Sequence, residues 1–205
     1  MKEAERTTLE KIHNTAKAEF LQKGFKSASL RNIVKEAGVT TGAFYGYYKS
    51  KEELFDALVL EQYTEFMGMY TKTQEDFKRL SPEEQMRGMG ELSGECLAKM
   101  LEYAYKNHDE FKLLLCSAEG TKYENMVHEM VNIEVEATHD FAKVLEDMGR
   151  SKYEVDPTLE HILVSGMFSA FFEMIIHDVP YDRAENYLKE LREFYTAGWK
   201  RIMQF

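Results

Sequence analysis

The side chains best suited to contact a nucleic acid lie between residues 29 and 51 of this 205-residue chain. Tyr45, Tyr47 and Tyr48 are followed directly by Lys49 and, two residues later, by Lys51. Phenolic hydroxyls and ammonium groups bind phosphate oxygens, and a tyrosine ring also packs against a sugar. These five residues are therefore predicted to hold a nucleic-acid backbone in place without reading its sequence.

Residues that suit the reading of base edges come just before the tyrosines. Thr40, Thr41 and Ala43 offer hydroxyl and methyl groups. A threonine hydroxyl meets either kind of base edge, and a methyl group suits the methyl of thymine. Gly42 allows the backbone to approach closely because it has no Cβ. Arg31 has the length to reach a guanine or a phosphate.

The segment from residue 29 to residue 54 predicts the elements that would position these side chains. Apolar residues recur at helical spacing from residue 30 to residue 37, which indicates a short helix with one buried face. Gly38 stands where a left-handed residue ends such a helix, and Thr40 is placed to cap the next one. Ser50 and Glu53 form a capping box for a third helix. Two helices joined by so tight a glycine turn form a helix-turn-helix, whose second helix enters the DNA major groove.

This segment, with the helix before it, resembles the DNA-binding domain of TetR-family transcriptional regulators over about residues 5 to 55. The matching residues are Gly24-Phe25, Leu30-Arg31-Asn32-Ile33, Ala37-Gly38-Val39, Gly42-Ala43-Phe44-Tyr45, Tyr47-Tyr48 and Lys49-Ser50-Lys51-Glu52-Glu53-Leu54. By position, the resemblance implies DNA contacts from Ser29, Arg31, Thr41, Gly42, Ala43, Tyr45, Gly46, Tyr47 and Lys51. Gly46 stands where many members carry a larger side chain, so one contact of the family is expected to be missing. Tyr48 fits the hydrophobic core equally well.

The distribution of charge agrees with a nucleic-acid-binding N-terminus. The whole chain has a net charge of −10, but residues 1–52 contain ten Lys and Arg against six Asp and Glu. A basic end can bind phosphate while an acidic body stays away from DNA. Two cysteines, Cys96 and Cys116, suit a reducing compartment. We find no signal peptide or membrane span in the sequence, which predicts a cytoplasmic protein without a membrane partner.

The pattern of helix starts predicts an all-α fold with about nine helices. The expected helices are residues 5–23, 29–36, 40–46, 50–79, 82–107, 109–117, 121–148, 156–178 and 182–203. Residues 1–52 are predicted to form a three-helix DNA-binding domain of the helix-turn-helix type. Residues 53–205 are predicted to form a C-terminal helical domain for ligand binding and dimerisation, as the resemblance implies.

The last two predicted helices have apolar surfaces broad enough for a subunit contact. In TetR-like proteins, the last two long helices pair with their copies in a four-helix bundle, so a homodimer is expected. The predicted interface residues are Leu159, Leu163, Gly166, Met167, Ala170, Leu191, Tyr195 and Trp199. The same apolar pattern also fits helices buried in the core of a single chain.

Residues 60–178 are rich in Met and aromatic side chains, which form adaptable apolar pockets but also ordinary helical cores. In the TetR family this region encloses a ligand cavity, so a small-molecule inducer is expected. Acidic groups here, among them Glu95, Glu119, Glu134 and Glu173, would favour a cationic lipophilic ligand if buried; otherwise the ligand is apolar. The predicted ligand contacts are Met89, Tyr103, Phe111, Leu115, Cys116, Glu119, Tyr123, Met126, Met130, Phe168 and Phe172.

Two other function classes remain open at this point. Glu136-x-x-His139 has the spacing of di-iron bundle ligands, but the second copy, Glu10-x-x-His13, lies in the DNA-binding segment. We therefore predict no metal, no cofactor and no enzymatic activity, and keep a carboxylate-bridged di-metal helical enzyme as the alternative. A helical dimerisation module that does not bind DNA is the third interpretation. The preferred function is a regulator, expected to be a repressor, that binds a palindromic double-stranded DNA operator.

Overall fold

The computed structural model describes residues 3–88, 90–150 and 154–204, and these residues form ten α-helices, which confirms the predicted all-α fold. In chain order the helices are α1 (Glu3–Ser27), α2 (Leu30–Glu36), α3 (Thr41–Tyr45), α4 (Lys51–Lys78), α5 (Pro82–Gly88), α6 (Glu91–Lys106), α7 (His108–Cys116), α8 (Met126–Asp147), α9 (Pro157–Ile176) and α10 (Tyr181–Met203).

Two predicted helices differ from the observed ones. The helix predicted over 82–107 is divided into α5 and α6, because Gly90 has a φ of 85° that no right-handed helix accommodates. The helix predicted to start at Thr121 starts instead at Met126. The Thr121 hydroxyl donates to the carbonyl of Ala118, 2.7 Å away, so this residue belongs to a turn.

The chain packs as two compact units. The first unit contains the described residues up to Thr64 together with Asn107–Glu124; the second contains Glu65–Lys106 and the described residues from Asn125 onward. The boundary thus falls within α4, and α7 belongs to the unit that contains the helix-turn-helix. The division predicted between residues 52 and 53 follows the DNA-binding motif rather than the packing, and it stays a prediction about function.

An aromatic cluster forms the centre of the first unit. Phe20 and Phe55 are fully buried, and Phe25 is nearly so. The ring of Phe55 meets the rings of Phe20 and Phe25 edge-on, at centroid distances of 5.1 and 5.3 Å. Gly24, with a φ of 72°, interrupts α1 and so lets Phe25 turn into this cluster. Along α1, Ile12, Ala16 and Phe20 are fully buried at helical spacing.

The segment 107–124 is joined to α1 by both backbone and side chains. The amide of Phe25 donates to the carbonyl of Ser117 over 2.8 Å. Lys17 of α1 forms an ion pair with Glu110 of α7. Tyr123, also buried, packs against Phe55 at a centroid distance of 6.2 Å. The first unit is therefore larger than the three helices that the sequence predicts for DNA binding.

In the second unit, α9 lies at the centre of the packing. Phe168 and Val164 are fully buried, and the ring of Phe168 meets Tyr70 of α4 edge-on at 5.6 Å. Among the described helices, α9 is long and apolar enough to cross a membrane. However, it also buries Glu160, which is 1 % exposed and lies 2.7 Å from Nε2 of His139. A buried, partnered carboxylate identifies α9 as a core helix of a globular unit.

Candidate functional site

The turn between α2 and α3 has the geometry that its sequence predicts. The Ser29 hydroxyl accepts from the amide of Asn32 at the start of α2. At its end, Gly38 has a φ of 66°, and the amide of Val39 donates to the carbonyl of Val34 over 3.2 Å. This is the hydrogen bond of a Schellman C-cap. The turn is therefore fixed by local hydrogen bonds, and it sets the direction of α3 relative to α2.

Helix α3 presents one face to solvent and buries the other. The hydroxyl of Thr40 accepts from the amide of Ala43 over 3.1 Å and so caps the helix. Phe44 is fully buried and anchors the helix to the first unit, whereas Tyr45 is 54 % exposed. The predicted DNA contacts that are exposed here are Arg31, Thr40, Thr41, Gly42, Ala43, Tyr45, Gly46 and Lys49, while Ser29, Tyr47 and Lys51 are half-buried.

Tyr48 belongs to the core, which is the alternative that the sequence left open. Only 8 % of its surface is exposed, and its hydroxyl is hydrogen-bonded to Nε2 of His13 on α1. Burial raises the pKa of Tyr48, and burial together with the nearby charge of Lys17 lowers the pKa of His13. The pair therefore stays neutral at pH 7 and links α1 to the segment that follows α3.

Lys51 is held by backbone carbonyls of the first unit. Its Nζ donates to the carbonyls of Phe25 and Ala28, at 2.6 and 3.1 Å, and more weakly to that of Lys26 at 3.4 Å. It also lies 4.5 Å from the centre of the Phe25 ring. The side chain thus closes the junction of α1 and α2. The neighbouring Lys49 side chain is exposed, and no ion pair of it occurs among the described residues.

The start of α4 is capped by its own side chains beside these lysines. The Ser50 hydroxyl accepts from the amide of Glu53 over 3.1 Å, and the Glu53 carboxylate accepts from the amide of Lys49 over 2.6 Å. The capping box predicted at Ser50 is therefore present, with the reciprocal bond displaced by one residue to Lys49.

The second unit contains a cavity of about 120 Å³ between α4, α6, α8, α9 and α10. Its walls are mainly aromatic and aliphatic, and they include Phe77, Leu97, Phe141, Phe168, Leu188 and Trp199. Of the four acidic residues considered from the sequence, Glu134 lines this cavity, while Glu95, Glu119 and Glu173 are exposed to solvent. Burial raises the pKa of the Glu134 carboxyl.

The residues predicted to bind the ligand are divided between the two units. Phe168 lines the cavity. Tyr103, Met126, Met130 and Phe172 belong to the second unit but lie outside the cavity wall, whereas Phe111, Leu115, Cys116, Glu119 and Tyr123 belong to the first unit. Met89 lies outside the described residues. The sequence named Glu134 only as one of four acidic candidates, and it missed the polar side of α10 that carries Arg192 and Thr196.

The apolar residues of α9 and α10 fall into two groups. Met167, Leu191, Tyr195 and Trp199, all predicted to lie in a dimer interface, line the cavity of their own chain. By contrast, Leu159, Ile162, Tyr187 and Phe194 are large apolar side chains exposed to solvent, Phe194 to 72 %. The predicted contacts Leu163, Gly166 and Ala170 are half-buried. The exposed group is the one available to another molecule.

Neither copy of the Glu-x-x-His pattern joins a metal-ligand cluster in the part of the chain that the structure describes. His139 contacts the buried Glu160, and His13 contacts Tyr48. Both histidines thus take part in the packing of helices.

Comparison with known proteins agrees with this geometry. Residues 12–58 match the family described as "Bacterial regulatory proteins, tetR family". The chain is 35% identical over 57 residues to the transposon Tn10 TetC protein of Escherichia coli. This match covers 28% of this chain and 29% of that protein. It is 38% identical over 76 residues to the uncharacterized HTH-type transcriptional regulator YuxN of Bacillus subtilis. This match covers 35% of this chain and 25% of that protein. The matches thus span less than a third of these relatives.

Similarity over the whole chain is seen at the level of the fold. The crystal structure of SCO3833, a TetR-family member from Streptomyces coelicolor, aligns with a TM-score of 0.57 and 18% sequence identity. The alignment covers 91% of this chain and 90% of that protein. Residues 12–58 thus match the DNA-binding domain of the tetR family of bacterial regulatory proteins in sequence, and the described helices share the fold of a member of that family.

Proposed function

We propose that this protein is a cytoplasmic transcriptional regulator, acting as a repressor, that binds a palindromic DNA operator as a homodimer and leaves it when a small molecule binds. The observation that supports DNA binding most directly is the exposed face of α3. Thr41, Ala43 and Tyr45 are exposed there, while the buried Phe44 fixes the helix from behind. A recognition helix needs this division, because side chains that read bases must be free and yet rigidly placed.

The contacts that would position DNA surround this face. Arg31 and Lys49 are exposed cations at either end of the motif. Phosphate contacts fix register, and base contacts give specificity. Lys51 is already bonded to backbone carbonyls, so we assign the main phosphate contact of this region to Lys49 and a supporting role to Lys51.

Homodimerisation is supported by the exposed apolar side chains of α9 and α10. Leu159, Ile162, Tyr187 and Phe194 are large apolar side chains exposed to solvent on these two helices, and a subunit contact there would remove them from water. Pairing this surface with its copy would bury it and give two recognition helices related by a twofold axis. Such a dimer reads two half-sites about 34–36 Å apart, or one turn of DNA.

Release by a small molecule is supported by the cavity of the second unit. Gln74 and Phe77 in its wall belong to α4, the helix that begins at Lys51 beside the recognition helix. A ligand that alters this wall can therefore act on the DNA-binding unit through one continuous helix. The ligand is expected to be apolar, or cationic and lipophilic. By linkage, a coupling of about 1–3 kcal/mol weakens DNA binding about 5- to 150-fold, and DNA weakens ligand binding equally.

The test is selection of binding sites from random double-stranded DNA, followed by affinity measurement. The expected product is an inverted repeat. Thr41→Ala should change the preferred bases at one position of each half-site, by about 1–3 kcal/mol. Thr71→Ala, the same change at an exposed position of α4, is the matched control and should leave the preference unchanged. Enrichment of no dyad-symmetric site would instead favour a helical dimerisation module without DNA binding.

A further inference from the structure

We propose that the cavity of the second unit selects a small lipophilic amine, whose protonated nitrogen pairs with Glu134 while its apolar ring lies among the aromatic side chains. This inference rests on the proposed function, because it takes the cavity to be the ligand site. It adds the chemical class of the ligand and the residue that recognises it.

The first observation is the asymmetric bonding of the Glu134 carboxylate. Oε2 accepts two hydrogen bonds, one from the hydroxyl of Tyr70 and one of 2.7 Å from Nε2 of Gln74. Oε1 has no hydrogen-bond partner among the described residues. The two donors on α4 hold the carboxylate in one orientation and leave its second oxygen free for another donor. The Glu134 side chain is half-buried and lines the cavity, so this second oxygen can accept from a charged donor on a ligand.

The second observation is the chemistry of the walls around Glu134. The titratable groups facing this region are Tyr70 on α4, Cys96 on α6, and Arg192 and Tyr195 on α10. The wall residues contributed by α9 are Met167, Phe168 and Phe171, which carry no charge. Burial raises the pKa of the Glu134 carboxyl, so its negative charge is unfavourable in the empty cavity. A cation supplied by the ligand compensates that charge.

The size and lining of the cavity define the rest of the ligand. A cavity of about 120 Å³ is close to the engineered cavity of about 150 Å³ that holds one benzene molecule. Phe141, Phe168 and Trp199 lie in its wall and can face either a ring or an ammonium group. One aromatic ring with a short aminoalkyl arm therefore fits both the space and the free oxygen of Glu134.

Arg192 allows the alternative ligand class, a small molecule with a carboxylate, to be tested. Its guanidinium lies against Gly94, where an added Cβ would come within 2.3 Å of an Arg192 nitrogen. The side chain is exposed, and no ion pair of it occurs among the described residues. A ligand with a carboxylate would use Arg192, whereas a ligand with an ammonium group would use Glu134. The two classes thus depend on different residues of the same cavity.

The experiment is calorimetric titration of the full-length, DNA-free protein with three compounds of similar shape: benzylamine, benzyl alcohol and benzoate. The wild type should bind benzylamine roughly 10- to 100-fold more tightly than benzyl alcohol, the range expected for one hydrogen bond to a charged group. Glu134→Gln should remove this difference while keeping the affinity for benzyl alcohol. Glu95→Gln, at an exposed position of α6, is the matched control and should change neither affinity. Retained affinity for benzyl alcohol also shows that each variant is folded.

Three results would overturn the inference. The first is that benzylamine does not bind the wild type at millimolar concentration, and the second is that Glu134→Gln binds benzylamine as tightly as the wild type does. The third is that benzoate binds more tightly than benzylamine and that Arg192→Met loses this binding. The proposed function is tested separately by adding the same compounds to the protein–operator complex. If benzylamine binds through Glu134 but leaves DNA affinity unchanged, the inference stands and ligand-induced release fails. If benzoate alone binds and releases DNA, release stands and the inference fails.

Discussion

The two lysines beside the recognition helix should respond in opposite ways to the same substitution. Lys51 donates to two carbonyls at 2.6 and 3.1 Å and weakly to a third, and it is half-buried. Lys49 is exposed and forms no ion pair among the described residues. Replacing each with Met removes the ammonium group but keeps most of the aliphatic chain. The pair of variants therefore separates a stabilising role from a DNA-binding role.

The expected loss of stability for Lys51→Met follows from these contacts. One hydrogen bond from a charged donor contributes about 1.5–3 kcal/mol. The longest of the three is weak, and water can reach the exposed side of the site after the substitution, so the contributions do not add fully. We expect Lys51→Met to lower the free energy of unfolding by about 2 kcal/mol. Lys49→Met should change it by less than about 0.5 kcal/mol, as is usual for a surface site.

DNA binding should show the reverse order. Each phosphate contact contributes about one unit to the slope of log affinity against log salt concentration. Lys49→Met should flatten this slope by about one unit and weaken all DNA sequences alike. Lys51→Met should leave the slope unchanged, provided that the measurement is made where the variant is fully folded. Stability is measured by urea denaturation followed by circular dichroism, and affinity by fluorescence anisotropy with a labelled operator duplex.

One combination of results would refute this assignment. If Lys51→Met unfolds at the wild-type urea concentration and flattens the salt slope, its ammonium group must leave the carbonyls and bind phosphate in the complex. An unchanged slope in Lys49→Met would strengthen that conclusion. The sequence-based expectation for Lys51 would then be right, and the contacts of the DNA-free structure would not persist on DNA.

Three further outcomes are expected. Tyr48→Phe should lower the free energy of unfolding by about 1 kcal/mol, because the hydrogen bond to His13 is lost, and leave the salt slope of DNA binding unchanged. A large effect on the slope would show that Tyr48 contacts DNA. Phe194→Glu should convert dimers to monomers in sedimentation experiments with unchanged circular dichroism, and a dimeric variant would place the interface elsewhere. Glu134→Gln should make the unliganded protein more resistant to urea than the wild type, with a difference that grows from about pH 4.5 upward.

The parts of the structure that the sequence predicts well are those fixed by short-range contacts. Gly38, Thr40 and Ser50 each act through hydrogen bonds to residues within a few positions, so their caps are visible as spacing in the sequence. Gly90 shows the limit of this reasoning. It lies within an otherwise continuous helical pattern, and only the observed φ of 85° reveals that the chain turns there.

The roles of individual side chains were harder to predict because they depend on partners far away in the sequence. Tyr48 resembles a DNA contact until His13, 35 residues earlier, is seen beside its hydroxyl. Lys51 resembles a phosphate ligand until the carbonyls of Phe25 and Ala28 are seen around it. The cavity requires residues from five helices, so composition indicated a pocket but did not indicate which residues form its wall.

The pH dependence of Glu134 connects the cavity to function. Because burial raises the pKa of this carboxyl above its ordinary value of 4.5, the folded chain binds the proton more tightly than the unfolded chain does. The stability that this protonation contributes is complete below about pH 4.5 and is lost as the pH rises through the folded-state pKa. Glutamine cannot ionise, so Glu134→Gln avoids that loss, and urea midpoints of both proteins from about pH 4 to 8 measure it. A pH-independent difference between the two proteins would show that Glu134 is not penalised in the fold. If the difference grows as expected, Glu134 is a residue that lowers the stability of the empty protein, as functional residues often do. The amine titration would then show whether the Glu134 carboxylate binds the ammonium group of a ligand.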